Sequence, residues 1–296
     1  MFALTGDAPG AAHVFTHAMG LLGGRDPRAI VQSTSREVLF HDRTAQILCT
    51  LQAVAAAAAF GDVLSGQLVV AGYSIGELAA WGVSGWLDPI ETLNLAAERA
   101  EAMDAVSQPG EGLLSVRGLP RPIIDALCQT HGTAIAIINP ADAYIIGGRL
   151  EALAAVAAEA RGRNARRITP LPVEVASHTP CLANASLMFR LKLNSLQLPS
   201  AVATTARLLS GIDGLPVMSF KEGLDKLAAQ ISQTVRWADC LQACVENGAR
   251  AFFELGPGAT LSRMASAAYP GIPARSLEDF QSLIGARAWI ARTIAD

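Results

Sequence analysis

The sequence predicts an α/β protein with a large part and a smaller inserted one, and three stretches carry that prediction. Residues 68–82, LVVAGYSIGELAAWG, read as strand, sharp turn and helix. Between 113 and 175 short units follow in the order βαββαβ, the ferredoxin-like split arrangement. After 176 the chain returns to longer helices, with one late apolar strand, Ala251–Leu255, entering Gly256-Pro257-Gly258. At 296 residues and 51% hydrophobic, the chain can bury the core of a large domain with an insertion. A formal net charge of −3 makes no case for nucleic acid.

Taken in order, Phe2-Ala3-Leu4-Thr5 reads as a short strand entering the turn-rich Gly6-Asp7-Ala8-Pro9-Gly10. Residues 11–22 read as a helix and 25–43 as a polar connector. The apolar helix 44–60, closing at Gly61-Asp62, is Ala-dominated and carries Gln46, Thr50 and Gln52, which favours a buried core helix over a membrane span. Asp88 before Pro89 marks a helix start, and that helix runs to about Val106. In the inserted part, strands are expected at 113–117, 134–138, 144–148 and 166–173, with helices at 121–129 and 151–161. The alternative is that these strands extend the main sheet. Helices follow at 181–191, about 221–233, 238–247 and from Thr260.

The five cysteines (Cys49, Cys128, Cys181, Cys240, Cys244) show no C-x-x-C pair. They read as reduced, buried thiols of a cytoplasmic protein, and no metal site is expected. The first residues, MFALTGDAPG, lack the basic region of a signal peptide.

Gly72-Tyr73-Ser74-Ile75-Gly76 has the G-x-S-x-G pattern between a strand and a helix, the context of a nucleophile elbow. Such a turn exposes the Ser74 hydroxyl at a helix N-terminus, where N–H groups favour a developing oxyanion. The alternative is a buried serine on an ordinary turn. A serine hydroxyl needs a base. His13, His17, His41 and His131 read as surface or capping residues, whereas His178 lies where an extended run breaks before Pro180, and can face a cleft. No histidine follows it, so the Ser–acid–His chain order of ordinary α/β-hydrolases is not met. Arg99 sits on a mostly apolar helix; it either meets an anion with its planar fork or is solvated beside Glu98 or Glu101.

Gly72–Glu77, Arg99, Val175-Ala-Ser-His178, Val235-Arg-Trp237 and Glu254-Leu-Gly-Pro-Gly258 together resemble, in order and spacing, the malonyl-CoA:acyl carrier protein transacylases and the acyltransferase domains of polyketide and fatty acid synthases. The likeness covers nearly the whole chain. It implies an α/β-hydrolase-like large subdomain with a parallel sheet (1–112 and 177–296) and a ferredoxin-like small subdomain (113–176). It also implies transfer of a malonyl or similar group from coenzyme A to the phosphopantetheine thiol of an acyl carrier protein, with no bound cofactor. By matching motif, Ser74 is the nucleophile, His178 the base, Arg99 the partner of the malonyl carboxylate and the Ile75 N–H an oxyanion donor. Asn139 would line the cleft.

Three positions depart from the family's pattern. Asp7 stands where the family's G-Q-G loop has an oxyanion-hole Gln, and an ionised Asp7 there would repel the oxyanion unless its charge is suppressed or it points away. Tyr73 replaces a usual His and would alter the acyl pocket wall. Arg236 replaces a common Gln, and its carbonyl is the expected orienter of His178. The resemblance leaves malonyl and methylmalonyl open. It also leaves open fatty acid synthesis, polyketide synthesis or a malonate decarboxylase. Two rivals remain: a serine thioesterase or esterase, and an inactive acyltransferase-like protein that binds a partner.

Overall fold

A computed structural model describes residues 1–61, 68–198, 204 and 206–295. The chain divides into two compact units, one of Met1–Ala97, Pro199–Leu209 and Leu241–Asp296, the other of Glu98–Leu198 and Ser210–Cys240.

The first unit opens on turns rather than the expected strand. Phe2 takes φ 62°, and its N–H donates to the Oε1 of Gln52 at 2.9 Å, so a side-chain amide holds the group a ladder would have used. The Phe2 ring packs edge-on to Phe15 at 5.1 Å. Helix α1 (Ala12–Leu21) matches expectation, but the segment expected as a connector holds α2 (Pro27–Ser33) and α3 (Arg36–Phe40). Asp26 starts α2 by accepting from the Arg28 N–H at 2.8 Å, with Pro27 at the first turn, a cap-and-proline signal legible in the sequence.

Helix α4 (Asp42–Phe60) is the buried spine, packed against α1 and against α5 (Ile75–Val83). It ends at Gly61; Asp62 lies outside the described residues. Among the described residues no helix is long and apolar enough to cross a membrane. The alanines of α4 permit close approach: a Cβ on Gly10 would lie 3.1 Å from the Ala58 carbonyl. Strand β1 (Val69–Val70) runs parallel to a later strand at Arg207–Leu208. Helix α6 (Pro89–Asp104) starts as expected, with Asp88 Oδ1 accepting from the Ile90 N–H at 2.8 Å.

The second unit contains β2 (Glu111–Arg117), α7 (Arg121–His131), β3 (Ala134–Asn139), β4 (Ala143–Arg149), α8 (Leu150–Gly162) and β5 (Arg167–Pro170). The order is βαββαβ, and the strands form a sheet of their own, β3-β4-β2-β5, antiparallel throughout. On one face Leu114, Val116, Tyr144 and Ile146 bury against Ile124, Leu127, Leu153 and Val156 of α7 and α8. This unit is wider than 113–176. It also takes in the His178 turn, α9 (Ala183–Asn194) and α10 (Phe220–Ala229), because α9 packs on α10 and Val235 bridges to Ile137.

The remaining elements are β6 (Arg207–Leu208), α11 (Trp237–Glu246), β7 (Phe252–Glu254), α12 (Thr260–Ala268), β8 (Ala274–Ser276) and α13 (Leu283–Ala295). β7 pairs parallel with β8 and is half-buried rather than buried. The carboxylate of Glu254 accepts from the Ser262 N–H at 2.8 Å and the Leu261 N–H at 3.2 Å, so the Glu254–Gly258 motif caps α12.

Candidate active site

Two local structures, one in each unit, carry the candidate chemistry. In the first, the 69–83 strand–turn–helix places Ser74 at φ 55°, ψ −121°, just ahead of α5. Non-glycine residues seldom adopt this backbone, and holding it costs about 1–3 kcal/mol. The turn closes through Gly76 N–H donating to the Tyr73 carbonyl at 2.8 Å and Glu77 N–H to that of Ser74 at 3.0 Å. Ile75 is the first residue of α5, so its N–H has no acceptor one turn back in the helix and is free to meet an anion. Tyr73 is half-buried.

The two glycines of the motif differ. A Cβ on Gly72 would lie 2.0 Å from the Gly76 carbonyl oxygen and 2.1 Å from the Glu77 nitrogen, both backbone. One on Gly76 would meet nothing within 4 Å. Gly72→Ala is therefore expected to destabilise the protein by more than about 4 kcal/mol, and Gly76→Ala by less than about 1 kcal/mol. Urea unfolding of both variants checks this; equal stabilities would refute the close approach.

In the second unit His178 is buried (1% exposed), at φ 62°. Its Nδ1 lies 2.6 Å from the Gln230 carbonyl oxygen, and its backbone N–H donates to the Ile231 carbonyl at 2.8 Å. A carbonyl only accepts, so Nδ1 carries the proton and the lone pair falls on Nε2, the tautomer a base needs. Burial, and then the charge of Arg99, lower the His178 pKa from 6.5 to about 3 against the opposing Gln230 bond, so the ring is neutral at physiological pH. The orienting carbonyl therefore belongs to Gln230, not to Arg236. Arg236 is half-exposed, pairs with Asp239 at 2.5 Å and uses its N–H on the Gly211 carbonyl at 2.7 Å.

Arg99 is also 1% exposed, which excludes the solvated alternative; Glu98 instead pairs with Lys192 at 3.5 Å. Its Nη2 donates to the Gln230 side-chain Oε1 at 3.0 Å. Gln230 thus holds His178 through its backbone and Arg99 through its side chain. Sequence reasoning missed it, and the available signal was a polar residue closing the amphipathic run of α10. Gly147 is a second omission: a Cβ there would lie 2.6 Å from Thr179 Cγ2, so β4 needs a glycine to seat the turn carrying His178. Asn139 is buried at the end of β3.

Asp7 is exposed, in a turn whose Gly6 carbonyl accepts from Arg28 Nη2 at 2.9 Å. The other histidines have local roles: His17 Nε2 lies 2.6 Å from Asn94 Oδ1, and His131 Nε2 lies 2.9 Å from Glu159. All five cysteines are free thiols; Cys128, Cys240 and Cys244 are buried, but Cys181 is exposed, against expectation. Among the described residues no three of His, Cys, Asp and Glu group as a metal site.

Comparison with known proteins identifies the family. The sequence profile of the acyl transferase domain matches residues 35–279. The malonyl CoA-acyl carrier protein transacylase of Mycobacterium tuberculosis (strain H37Rv) is 32% identical over 218 residues, 73% of this chain and 70% of that protein. That of Mycolicibacterium smegmatis is 30% identical over 224 residues, 74% of this chain and 76% of that one. The crystal structure of MCAT from Mycobacterium tuberculosis, 29% identical, superposes with a TM-score of 0.87 over 98% of this chain and 94% of that one. The chain belongs to the malonyl CoA-acyl carrier protein transacylase family of acyl transferase domains.

Proposed function

We propose that the protein moves a malonyl group from coenzyme A to the phosphopantetheine thiol of an acyl carrier protein through a Ser74 acyl-enzyme. The observation that carries this reading is the buried trio of His178, Gln230 and Arg99: a neutral imidazole with its lone pair on Nε2, beside a buried guanidinium. A base and a carboxylate receptor held by one residue suit an acyl group that ends in a carboxylate. The names of the relatives support the same substrate and carrier.

In the first half-reaction His178 Nε2 takes the Ser74 proton, and Oγ attacks the thioester carbonyl. The Ile75 N–H stabilises the oxyanion. Collapse breaks the C–S bond, and the departing thiolate takes the proton back from Nε2. In the second half, the carrier thiol gives its proton to His178 and attacks the ester; Ser74 leaves and is reprotonated. No third member is required: the Gln230 carbonyl supplies the orienting bond an acid provides in a triad. Arg99 selects the acyl group, since a buried guanidinium left without its anion penalises acetyl. By their positions in the family's motifs, Asn139 and Tyr73 are assigned to acyl recognition in this reading. The proposal includes an α/β-hydrolase-like large subdomain with a ferredoxin-like insertion at 113–176. It also includes a cytoplasmic setting that keeps the thiols reduced.

Intact mass after brief incubation with malonyl-, methylmalonyl- or acetyl-CoA tests this. A malonyl adduct is expected on the wild-type chain and none on Ser74→Ala. Discharge by water in place of the carrier thiol would make the protein a thioesterase. No adduct from any thioester would make it a partner-binding relative without turnover.

A further inference from the structure

We propose that Thr179 is a positioning residue for His178: its hydroxyl ties the turn on which the imidazole is mounted, and its methyl seats that turn on β4. The inference rests on the acyl-transfer reading above for what the imidazole does.

His178 is held in a conformation its own backbone disfavours. Ala176, Ser177, His178 and Thr179 form a turn whose third residue has φ 62°. Glycine or asparagine ordinarily takes that place, because a Cβ crowds the following carbonyl there. Released, the turn would relax toward negative φ and swing the ring off the Gln230 carbonyl. The Gln230 and Ile231 carbonyls hold His178 from outside the turn, and Thr179 closes it from within. Thr179 Oγ1 donates to the Ala176 carbonyl at 2.6 Å, and both residues are fully buried. Water therefore cannot stand in for the hydroxyl, and a lost donor leaves a buried carbonyl short of a partner.

A threonine ahead of a helix ordinarily spends its oxygen on the first N–H groups of that helix. Thr179 precedes the 3₁₀ turn Pro180–Leu182 but makes no such bond; its hydroxyl points back into the turn of His178. Pro180 fixes the next step of the chain, keeping Thr179 extended at φ −127°, ψ 161°. The methyl has a separate task. A Cβ on Gly147 would lie 2.6 Å from Thr179 Cγ2, its next contact being the flexible end of Leu113 at 3.0 Å. Gly147 does not have positive φ, so its missing side chain answers to Thr179 and not to its backbone. β4 is an inner strand, paired with both β2 and β3, which makes it a firm seat for the turn.

Steady-state kinetics of four variants test the proposal. Thr179→Val keeps a methyl and removes the donor; it is expected to lower kcat for malonyl transfer about 100-fold, the cost of a group displaced by about an ångström, with KM for malonyl-CoA unchanged. Thr179→Ser keeps the donor and should hold kcat close to that of the wild type. Gly147→Ala pushes on the methyl and should lower kcat about tenfold. Adding Thr179→Ser to it removes that methyl and should recover most of the loss. The last pair decides independently of how well Thr179→Val folds. Wild-type kcat in Thr179→Val, a Thr179→Ser as slow as Thr179→Val, or a double variant no faster than Gly147→Ala overturns the role. Proton NMR of the free protein reads the alignment without substrate. The Nδ1–H held 2.6 Å from the Gln230 carbonyl should give a low-field resonance that survives in Thr179→Ser and is lost in Thr179→Val. That pattern in a chain that forms no acyl-enzyme keeps the positioning and sinks the transfer. Malonyl transfer with resonance and kcat unchanged in Thr179→Val does the reverse.

Discussion

His178→Ala is expected to lower malonyl transfer by about 1,000-fold, the middle of the range for a positioned general base. His178→Gln should lose as much, because an amide at Nε2's place cannot take the Ser74 proton. The pH profile is the sharper test. With its pKa lowered to about 3 by burial and by Arg99, His178 stays in its basic form across the range where an ordinary histidine titrates. The kcat/KM for malonyl-CoA should therefore hold level between about pH 5 and 8. A fall with a midpoint near 6.5 would show a solvated imidazole and refute the buried geometry.

The same group shapes acid stability. Below pH 6.5 the unfolded chain's histidine takes up a proton that the folded one refuses down to about 3. The unfolded state thus binds more protons in that window, and stability is lost as pH falls through it, by at most about 1.4 kcal/mol per pH unit from this residue. Denaturant unfolding of wild-type and His178→Gln at pH 4, 5, 6 and 7 checks the sign. The variant should show the shallower decline; identical slopes would refute it.

Arg99→Ala is expected to lower malonyl transfer by about 100-fold or more and to collapse the preference for malonyl over acetyl. A carboxylate held by a buried planar fork is a strong, charge-assisted pair, and its loss falls on malonyl alone. Arg99→Lys keeps the charge without the fork and should be intermediate. Removing the guanidinium also leaves the Gln230 amide short of a donor, costing about 1–3 kcal/mol of stability. Gln230→Glu separates the two roles of that residue. Its backbone carbonyl still orients His178, while the new carboxylate claims Arg99 and should exclude the malonyl group. Competition assays with malonyl- and acetyl-CoA measure the ratio. Undiminished malonyl transfer by Arg99→Ala would end the assignment.

What could be read from the chain was local. Leu68–Gly76 announces its turn because strand, steric need for Gly72 and helix all fall within a few residues, and Asp88-Pro89 announces α6 for the same reason. The βαββαβ run was legible too, since each element carries its own periodicity and punctuation.

Where the deciding partner lies far along the chain, sequence alone fell short. Phe2–Thr5 has a strand's apolar character, yet Gln52, fifty positions away, holds the Phe2 N–H in a turn. Arg236 sits in the motif that suggested it, but the carbonyl that reaches His178 is that of Gln230, 52 positions away, because α10 ends against the His178 turn. Whether Arg99 was solvated or buried was open in Ala-Glu-Arg-Ala; packing closed it. The seating of Thr179 on Gly147 is likewise decided by which segments meet. Local backbone chemistry writes itself into a few consecutive residues. Protonation state, charge pairing and alignment of a site depend on contacts made only when distant segments meet.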